Sequence, residues 1–327
     1  MLGTGITHRS YESPNKGICT GFTVIQPTPI LGQKCPAGIY VLNGAGELTG
    51  AHQINEWGYL ETPIVLTNTV CVGKAYDAVT EWMMEKLPQI GTEREVVIPV
   101  VGECDDSVLH DPRIFPWDKK DLVSALDEAL VVSQGNHPQE ILQGNIGAGT
   151  GTIAFDLKGG IGVSSKNIQV QDSSYQLNVL VQTNFGTREQ LLYFEKYLGP
   201  KLKQPLPIKH QEGSCLGVCM TNAPLDSKGL ERIAKRMSLG LARTGSCAHH
   251  GSGEIFLAFT NHTNPPSSFE MSDEDWDKLF CATIETTQEA VYHSLLFSNT
   301  VKNKRATVYA LSPEDLQPPL KLKSKFC

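Results

Sequence analysis

Short runs of β-branched and aliphatic residues recur along the chain, each closed by Gly, Pro or Asn. Residues 22–25, 38–42, 64–66, 96–101, 176–181, 215–220 and 255–259 have this form and are predicted strands. Between them apolar positions return every three or four residues. In 226–244, Leu230, Ile233, Ala234, Met237 and Leu241 fall on one face and Gly245 follows the last turn, which predicts a helix. A second helix is predicted over 272–297, where Asp273, Glu274 and Asp275 favour the positive end of the helix dipole. Weaker helical patterns cover 74–87, 121–133 and 188–197. Helices and strands alternate, no long Pro/Ser-rich linker divides the chain, and no internal repeat appears. One α/β domain of stacked layers is the expected architecture. From Leu311 onwards, Pro313, Pro318, Pro319 and alternating lysines predict an irregular, exposed tail.

Composition narrows the function. The 327 residues can bury a substantial core, and 28 Lys plus Arg against 35 Asp plus Glu give a formal charge of -7. Such a chain has no basic field for a phosphate backbone, so nucleic acid is not an expected partner. No apolar run reaches about 18 residues, and positions 1–9 lack a charged segment followed by an apolar one, which argues against a membrane span and a secretory signal. The nine cysteines are scattered without a disulfide-framework spacing. A reducing, cytoplasmic location is the expectation.

Several motifs invite a function and fail its requirements. Gly147-Ala148-Gly149-Thr150-Gly151-Thr152 is rich in glycine, but no Lys-Ser/Thr follows it and the sixth position is Thr152, so neither a P-loop nor a dinucleotide fingerprint is complete. A turn in which backbones crowd together is the simpler reading. Cys247, His249 and His250 lie too close in sequence to converge with a second pair on a tetrahedral metal, and no metal or other cofactor is expected. The chain contains no Gly-x-Ser-x-Gly nucleophile elbow. Gly213-Ser214, after Glu212 and before an apolar strand, is ordinary as a turn. Chemically, however, Gly has no side chain to obstruct the serine hydroxyl from its carbonyl, so this junction suits an N-to-O acyl shift. Hydrolysis of the ester would leave Ser214 as a new N-terminus, its α-amine of pKa about 7.7–8 serving as a base within the nucleophilic residue.

Six blocks in order carry a family resemblance: Val41-Leu42-Asn43-Gly44-Ala45-Gly46-Glu47, Leu66-Thr67-Asn68-Thr69, Asn145-Ile146-Gly147-Ala148-Gly149-Thr150-Gly151-Thr152 with Lys158-Gly159-Gly160-Ile161-Gly162-Val163-Ser164-Ser165, Gly213-Ser214, Asn222-Ala223-Pro224-Leu225, and Gly240-Leu241-Ala242-Arg243-Thr244-Gly245. Together they span nearly the whole chain, which resembles the self-processing L-aminopeptidase/D-amidase-esterase family that includes the β-peptidyl aminopeptidases. The resemblance implies an αββα sandwich of the N-terminal-nucleophile type. It also implies one peptidase domain over 1–327 that cleaves itself into chains 1–213 and 214–327 and removes the N-terminal residue from small peptides, amides or esters.

Position by position, Ser214 matches the nucleophile and Gly213-Ser214 the cleavage point. Ser252 and Glu254 match the Ser-Gly-Glu element that orients and tunes the nucleophile's amine. Asn184 matches the amide that faces the developing oxyanion, where a fixed donor contributes roughly 2.7–4 kcal/mol; without the resemblance it reads as a strand-ending cap. Glu103 matches the carboxylate that receives the substrate ammonium. Asp105 stands where a further oxyanion donor is expected, and an ionised carboxylate cannot donate. The resemblance further implies a homo-oligomer of cleaved heterodimers. Alternatives on the same architecture are an acyltransferase using an N-terminal threonine, an amide-forming or amide-hydrolysing enzyme of secondary metabolism, and a non-catalytic binding protein. Ser rather than Thr at 214 and the Asn222-Ala223-Pro224-Leu225 block argue against the acyltransferase. The joint presence of Ser214, Asn184, Ser252 and Glu254 argues against a binding protein.

Overall fold

The structure, a computed structural model, describes residues 4–28, 31–135, 141–171, 173–194, 196–207, 213–262 and 271–316. Two sheets carry the architecture. The first contains β1 (Thr4–Ser13), β2 (Ile18–Pro27), β5 (Ile64–Thr67) and β6 (Val100–Glu103) in spatial order β1-β2-β5-β6. Its pairs are antiparallel except β5 with β6. The second contains β3 (Cys35–Gly44), β4 (Tyr59–Leu60), β7 (Ile161–Val170), β8 (Ser173–Asn184), β9 (Ser214–Thr221) and β10 (Gly253–Thr260) in the order β4-β3-β10-β9-β8-β7. Here β9 and β10 form the parallel pair.

Three apolar clusters define four layers. Ile6, Ile25, Leu66, Leu180, Leu216 and Leu257 meet between the two sheets. Phe22, Val65 and Val101 face α2 (Val72–Lys86) and α3 (Lys119–Gln134) on the outside of the first sheet. Val179, Cys219 and Phe256 face α4 (Ser227–Ala242) and α5 (Asp273–Leu296) on the outside of the second. The expected αββα sandwich is therefore the observed one.

Each long helix follows its sequence period. Ala75, Ala78, Val79, Trp82 and Met83 make the buried stripe of α2, and Leu122, Ala125, Leu126 and Ala129 that of α3. Polar caps set the starts: Asp226 accepts the Gly229 N–H at 2.7 Å, and Ser272 accepts that of Asp275 at 3.2 Å. Gly162 allows α5 to press against β7, since a Cβ there would stand 1.8 Å from the Ala290 carbonyl oxygen.

Two predicted elements take another form. Of 96–101, only the last two residues join β6. Pro99 has no N–H to give a ladder, and Val96 remains 70% exposed, so its hydrophobicity buries nothing. The region 188–197 is not a helix but a 3₁₀ turn, Arg188–Gln190, followed by the two-residue ribbon Leu192–Tyr193 with Lys196–Tyr197. Phe194 there adopts φ 44, incompatible with a helix, while its ring packs on Tyr193 and Tyr292. Strands β1, β4 and β7 and the short helix α1 (Ala51–Trp57) carry no strong pattern, and the sequence does not predict them. The tail expectation falls mostly outside the described residues, which end in a 3₁₀ turn at Pro313–Leu316.

Candidate active site

Ser214 is the first residue of β9, Asn184 the last of β8 and Gly253 the first of β10, and the three are paired across adjacent ladders. The register therefore brings strand ends from three distant parts of the chain to one spot. Ser214 is buried, and Asn184 Nδ2 stands 3.5 Å from its Oγ, at the outer limit of a hydrogen bond. Asn184 Oδ1 accepts the Ile153 N–H at 3.0 Å, which fixes the amide so that its NH₂ end faces the serine. The Gly213 carbonyl accepts the Gly253 N–H at 3.1 Å, extending the parallel ladder over the Gly213–Ser214 bond. A side chain at 213 would collide, since a Cβ would lie 2.6 Å from Phe185 Cα and 2.7 Å from the Asn184 oxygen. Glu212 lies outside the described residues.

Beside this junction, the Ser252 hydroxyl donates to Glu254 Oε1. Glu254 is fully buried, and its other oxygen, Oε2, has no hydrogen-bond partner among the described residues. Burial pushes its pKa up, against the hydrogen bond from Ser252. The preceding loop is tied in as well: the His249 carbonyl accepts from Ser252 N at 2.9 Å and from Asn43 Nδ2 at 2.7 Å.

Glu103, the last residue of β6, approaches from the first sheet. Its Oε1 accepts the Glu47 N–H at 3.1 Å and its Oε2 the Thr69 hydroxyl. A Cβ on Gly46 would touch both Glu103 Oε1, at 3.3 Å, and Gly253 Cα, at 3.4 Å, so the carboxylate lies one small residue away from the start of β10. Burial raises its pKa despite both hydrogen bonds. Asp105 does not point to a donor role: its two oxygens accept the Ser107 N–H and hydroxyl at 2.8 and 3.0 Å, closing its own turn.

Sequence reasoning missed several neighbours. Cys104 is fully buried with its thiol against the Ser214 hydroxyl and the Leu216 N–H, and burial pushes its pKa up. Asp106 is buried, accepts from Asn68 Nδ2 at 3.2 Å, and has its pKa raised by burial to about 7. Lys158 lies within one of the motifs that carry the resemblance, without an implied role, and is fully buried. The glycine-rich segment is a crowded 3₁₀ turn, Gly147–Gly149, in which a Cβ at Gly149 would meet Ile161 N at 2.4 Å and one at Gly151 the Cys19 carbonyl oxygen at 2.2 Å. Gln190 Nε2 joins Cys247 Sγ at 3.1 Å and His249 Nε2 at 2.9 Å. Among the described residues no group of three possible metal ligands converges, and no helix is long and apolar enough to cross a membrane.

The layered fold and a buried serine heading a central strand beside a fixed amide donor define a hydrolase of the N-terminal-nucleophile type. Comparison with known proteins agrees with that class. Residues 2–308 match peptidase family S58. The beta-peptidyl aminopeptidase BapA of Sphingosinicella xenopeptidilytica is 34% identical over 324 residues, 91% of this chain and 78% of that protein. Its namesake from Sphingosinicella microcystinivorans is 31% identical over 333 residues, 92% and 80% respectively. Among solved structures, a Burkholderia sp. beta-aminopeptidase superposes with a TM-score of 0.83 at 31% identity, covering 97% of this chain and 90% of that one. The L-aminopeptidase D-Ala-esterase/amidase of Ochrobactrum anthropi, described as a prototype of the serine aminopeptidases and a variant of the Ntn hydrolase fold, gives 0.84 at 28% identity, covering 96% and 90%. The chain belongs to peptidase family S58 and is a serine-type aminopeptidase hydrolase.

Proposed function

We propose that this chain cuts its own Gly213–Ser214 bond, giving chains 1–213 and 214–327, and then uses Ser214 to release the N-terminal residue of small peptides, amides or esters through an acyl-enzyme. In self-cleavage the Ser214 hydroxyl attacks the Gly213 carbonyl, its proton passes to the departing Ser214 nitrogen, and water hydrolyses the resulting ester. The freed α-amine then acts as the base for each turnover, taking the hydroxyl proton and delivering it to the leaving group. Asn184 supplies an N–H to the oxyanion, Ser252 and Glu254 hold the amine, and Glu103 receives the substrate ammonium.

The observation that carries this reading is the buried Oε2 of Glu254, which has no hydrogen-bond partner among the described residues. A buried carboxylate oxygen without a donor is costly in the intact chain, and the ammonium created by cleavage one strand away is a donor that can satisfy it. The names of the relatives support peptides with an N-terminal β-amino acid as one substrate class. A homo-oligomer of cleaved heterodimers in the cytoplasm belongs to the same proposal; none of the eight cysteines among the described residues is in a disulfide, in keeping with a reducing compartment. The test is the intact mass of the purified protein. Wild type should resolve into two chains and Ser214→Ala should stay one, whereas a fully active wild type with a single unprocessed mass after long incubation overturns the mechanism.

A further inference from the structure

Asn184 is held by one peptide group, and that group is itself gripped by a buried cation. The N–H of the Thr152–Ile153 peptide donates to Asn184 Oδ1 at 3.0 Å. The oxygen of the same peptide, Thr152 O, accepts from Lys158 Nζ at 2.7 Å and from the Gly159 N–H at 3.2 Å. The Lys158 ammonium also donates to the carbonyls of Gly149, at 2.9 Å, and Gly159, at 2.7 Å, so its three protons are all used on backbone oxygens. No carboxylate among these contacts neutralises it.

We propose that Lys158 is a positioning residue for the oxyanion site, acting through the Thr152–Ile153 peptide on Asn184. A cation on the peptide oxygen draws electron density from the N–H, which makes that N–H a stronger donor to Asn184 Oδ1. Asn184 responds by presenting a more positive NH₂ towards Ser214 Oγ, 3.5 Å away. Hydrogen bonds in series polarise one another, and among groups as buried as Lys158, Thr152 and Asn184 the effect is less screened than at the surface. Burial brings the Lys158 pKa down to about 8, with Cys19, Glu12 and Asp106 as the titratable groups that face it and draw it back up. Three carbonyl acceptors take one proton each, which keeps Lys158 in its ammonium form.

A second observation points to the same rigid unit. Ile153–Ala154 and Leu157–Lys158 form a hairpin whose turn residues, Phe155 and Asp156, both adopt φ 55, a conformation that side-chained residues resist. The turn is held from outside by Arg188, which donates from Nε to the Phe155 carbonyl at 3.2 Å and from NH2 to that of Asp156 at 2.7 Å. Phe155 N–H reaches the carbonyl of Phe185, next to Asn184, at 2.7 Å. Two buried cations thus clamp a strained hairpin whose first N–H aims the oxyanion donor.

The inference rests on the role proposed for Asn184, and the experiment separates the two. kcat and KM are measured on cleaved protein for wild type, Lys158→Met, Asn184→Ala and the double variant; for any variant that matures too slowly to give cleaved protein, the slowed rate at which the two chains appear is compared across the same four proteins instead. Asn184→Ala should lose roughly 100- to 1,000-fold in kcat. Lys158→Met, nearly isosteric but uncharged, should lose roughly tenfold in kcat with KM within about twofold, and should cost less than about twofold when Asn184 is already absent. Should Lys158→Met not fold, Lys158→Gln, which keeps a donor but not the charge, takes its place with the same expected pattern. An equal loss in both backgrounds, or a loss in KM alone, marks a merely structural lysine and overturns the inference. So does an unchanged Lys158→Met kcat beside an impaired Asn184→Ala, which leaves the role of Asn184 standing. An Asn184→Ala variant with wild-type kcat overturns both.

Discussion

Glu254 makes opposite predictions for the intact and the cleaved protein. In the intact chain its Oε2 is buried with no partner among the described residues, a situation that costs about 1–3 kcal/mol. Glu254→Gln keeps the shape and, through Oε1, the hydrogen bond from Ser252; its NH₂ takes the place of Oε2, so what the substitution removes is the cost of a buried charge. In a Ser214→Ala background, which stays uncut, the substitution should therefore stabilise, and at roughly 2 °C per kcal/mol for a chain of this size Tm should rise by about 2–6 °C at neutral pH. The pH dependence has a definite sign. Burial holds the Glu254 pKa above its ordinary 4.5, so the folded state retains a proton that the unfolded chain has lost. The contribution of this group is fully present below 4.5 and is lost as pH rises through the folded value; Glu254→Gln should remove that slope. In the cleaved protein the same carboxylate has the Ser214 amine to hold, and its loss should lower kcat by about 100- to 10,000-fold. Scanning calorimetry across pH on the uncut pair, and p-nitroanilide turnover on the cleaved pair, read the two halves separately. Near wild-type kcat together with an unchanged pH slope would falsify the reasoning and make Glu254 a structural acid.

Glu103→Gln should lower kcat/KM for free-amine p-nitroanilides by about 30-fold or more, mainly through KM, because the substrate ammonium loses a buried counter-charge. Since burial raises the Glu103 pKa above 4.5, wild-type kcat/KM should begin to fall on acidification at a higher pH than an ordinary glutamate would give; equal kcat/KM for acetylated and free forms of one substrate removes Glu103 from this role. Asp106, whose pKa is raised from 3.8 to about 7 by burial, gives stability that is present below 3.8 and lost as pH rises through 7. Asp106→Asn should thus gain Tm relative to wild type between pH 5 and pH 8, and a difference that is constant across that range refutes the assignment.

The extent to which this protein can be read from its sequence follows the range of the interactions concerned. Helices α2 to α5 are legible because their information is local: an apolar residue every three or four positions and, for α3, α4 and α5, a capping Asp or Ser at the start. The chemistry of Gly213-Ser214 is legible for the same reason, since the nucleophile and its scissile carbonyl are neighbours in the chain. The resemblance then marks Asn184, Ser252, Glu254 and Glu103 as candidates, and the fold brings the first three to adjoining strand ends with Glu103 facing them from the other sheet. Local patterns mislead where tertiary contacts overrule them, as at 188–197, where aromatic packing against Tyr292 draws a helical-looking segment into a turn and ribbon.

What the sequence determined by itself is the set of residues able to do the chemistry and the layered class that carries them. The tertiary structure alone decided their state. Whether a carboxylate is solvated or sealed, paired or missing a partner, depends on residues hundreds of positions away, because burial and hydrogen-bond supply are properties of packed neighbours. Glu254 is an ordinary acid in the chain and a sealed one in the core, with one oxygen unsatisfied among the described residues. Lys158 reads as one basic residue before two glycines, and becomes a buried cation aimed at Asn184 only because a hairpin, a glycine-crowded turn and the end of β8 close around it. No periodicity or spacing can encode that enclosure, since the desolvation that gives these groups their properties exists only once the two sheets and their helices have come together.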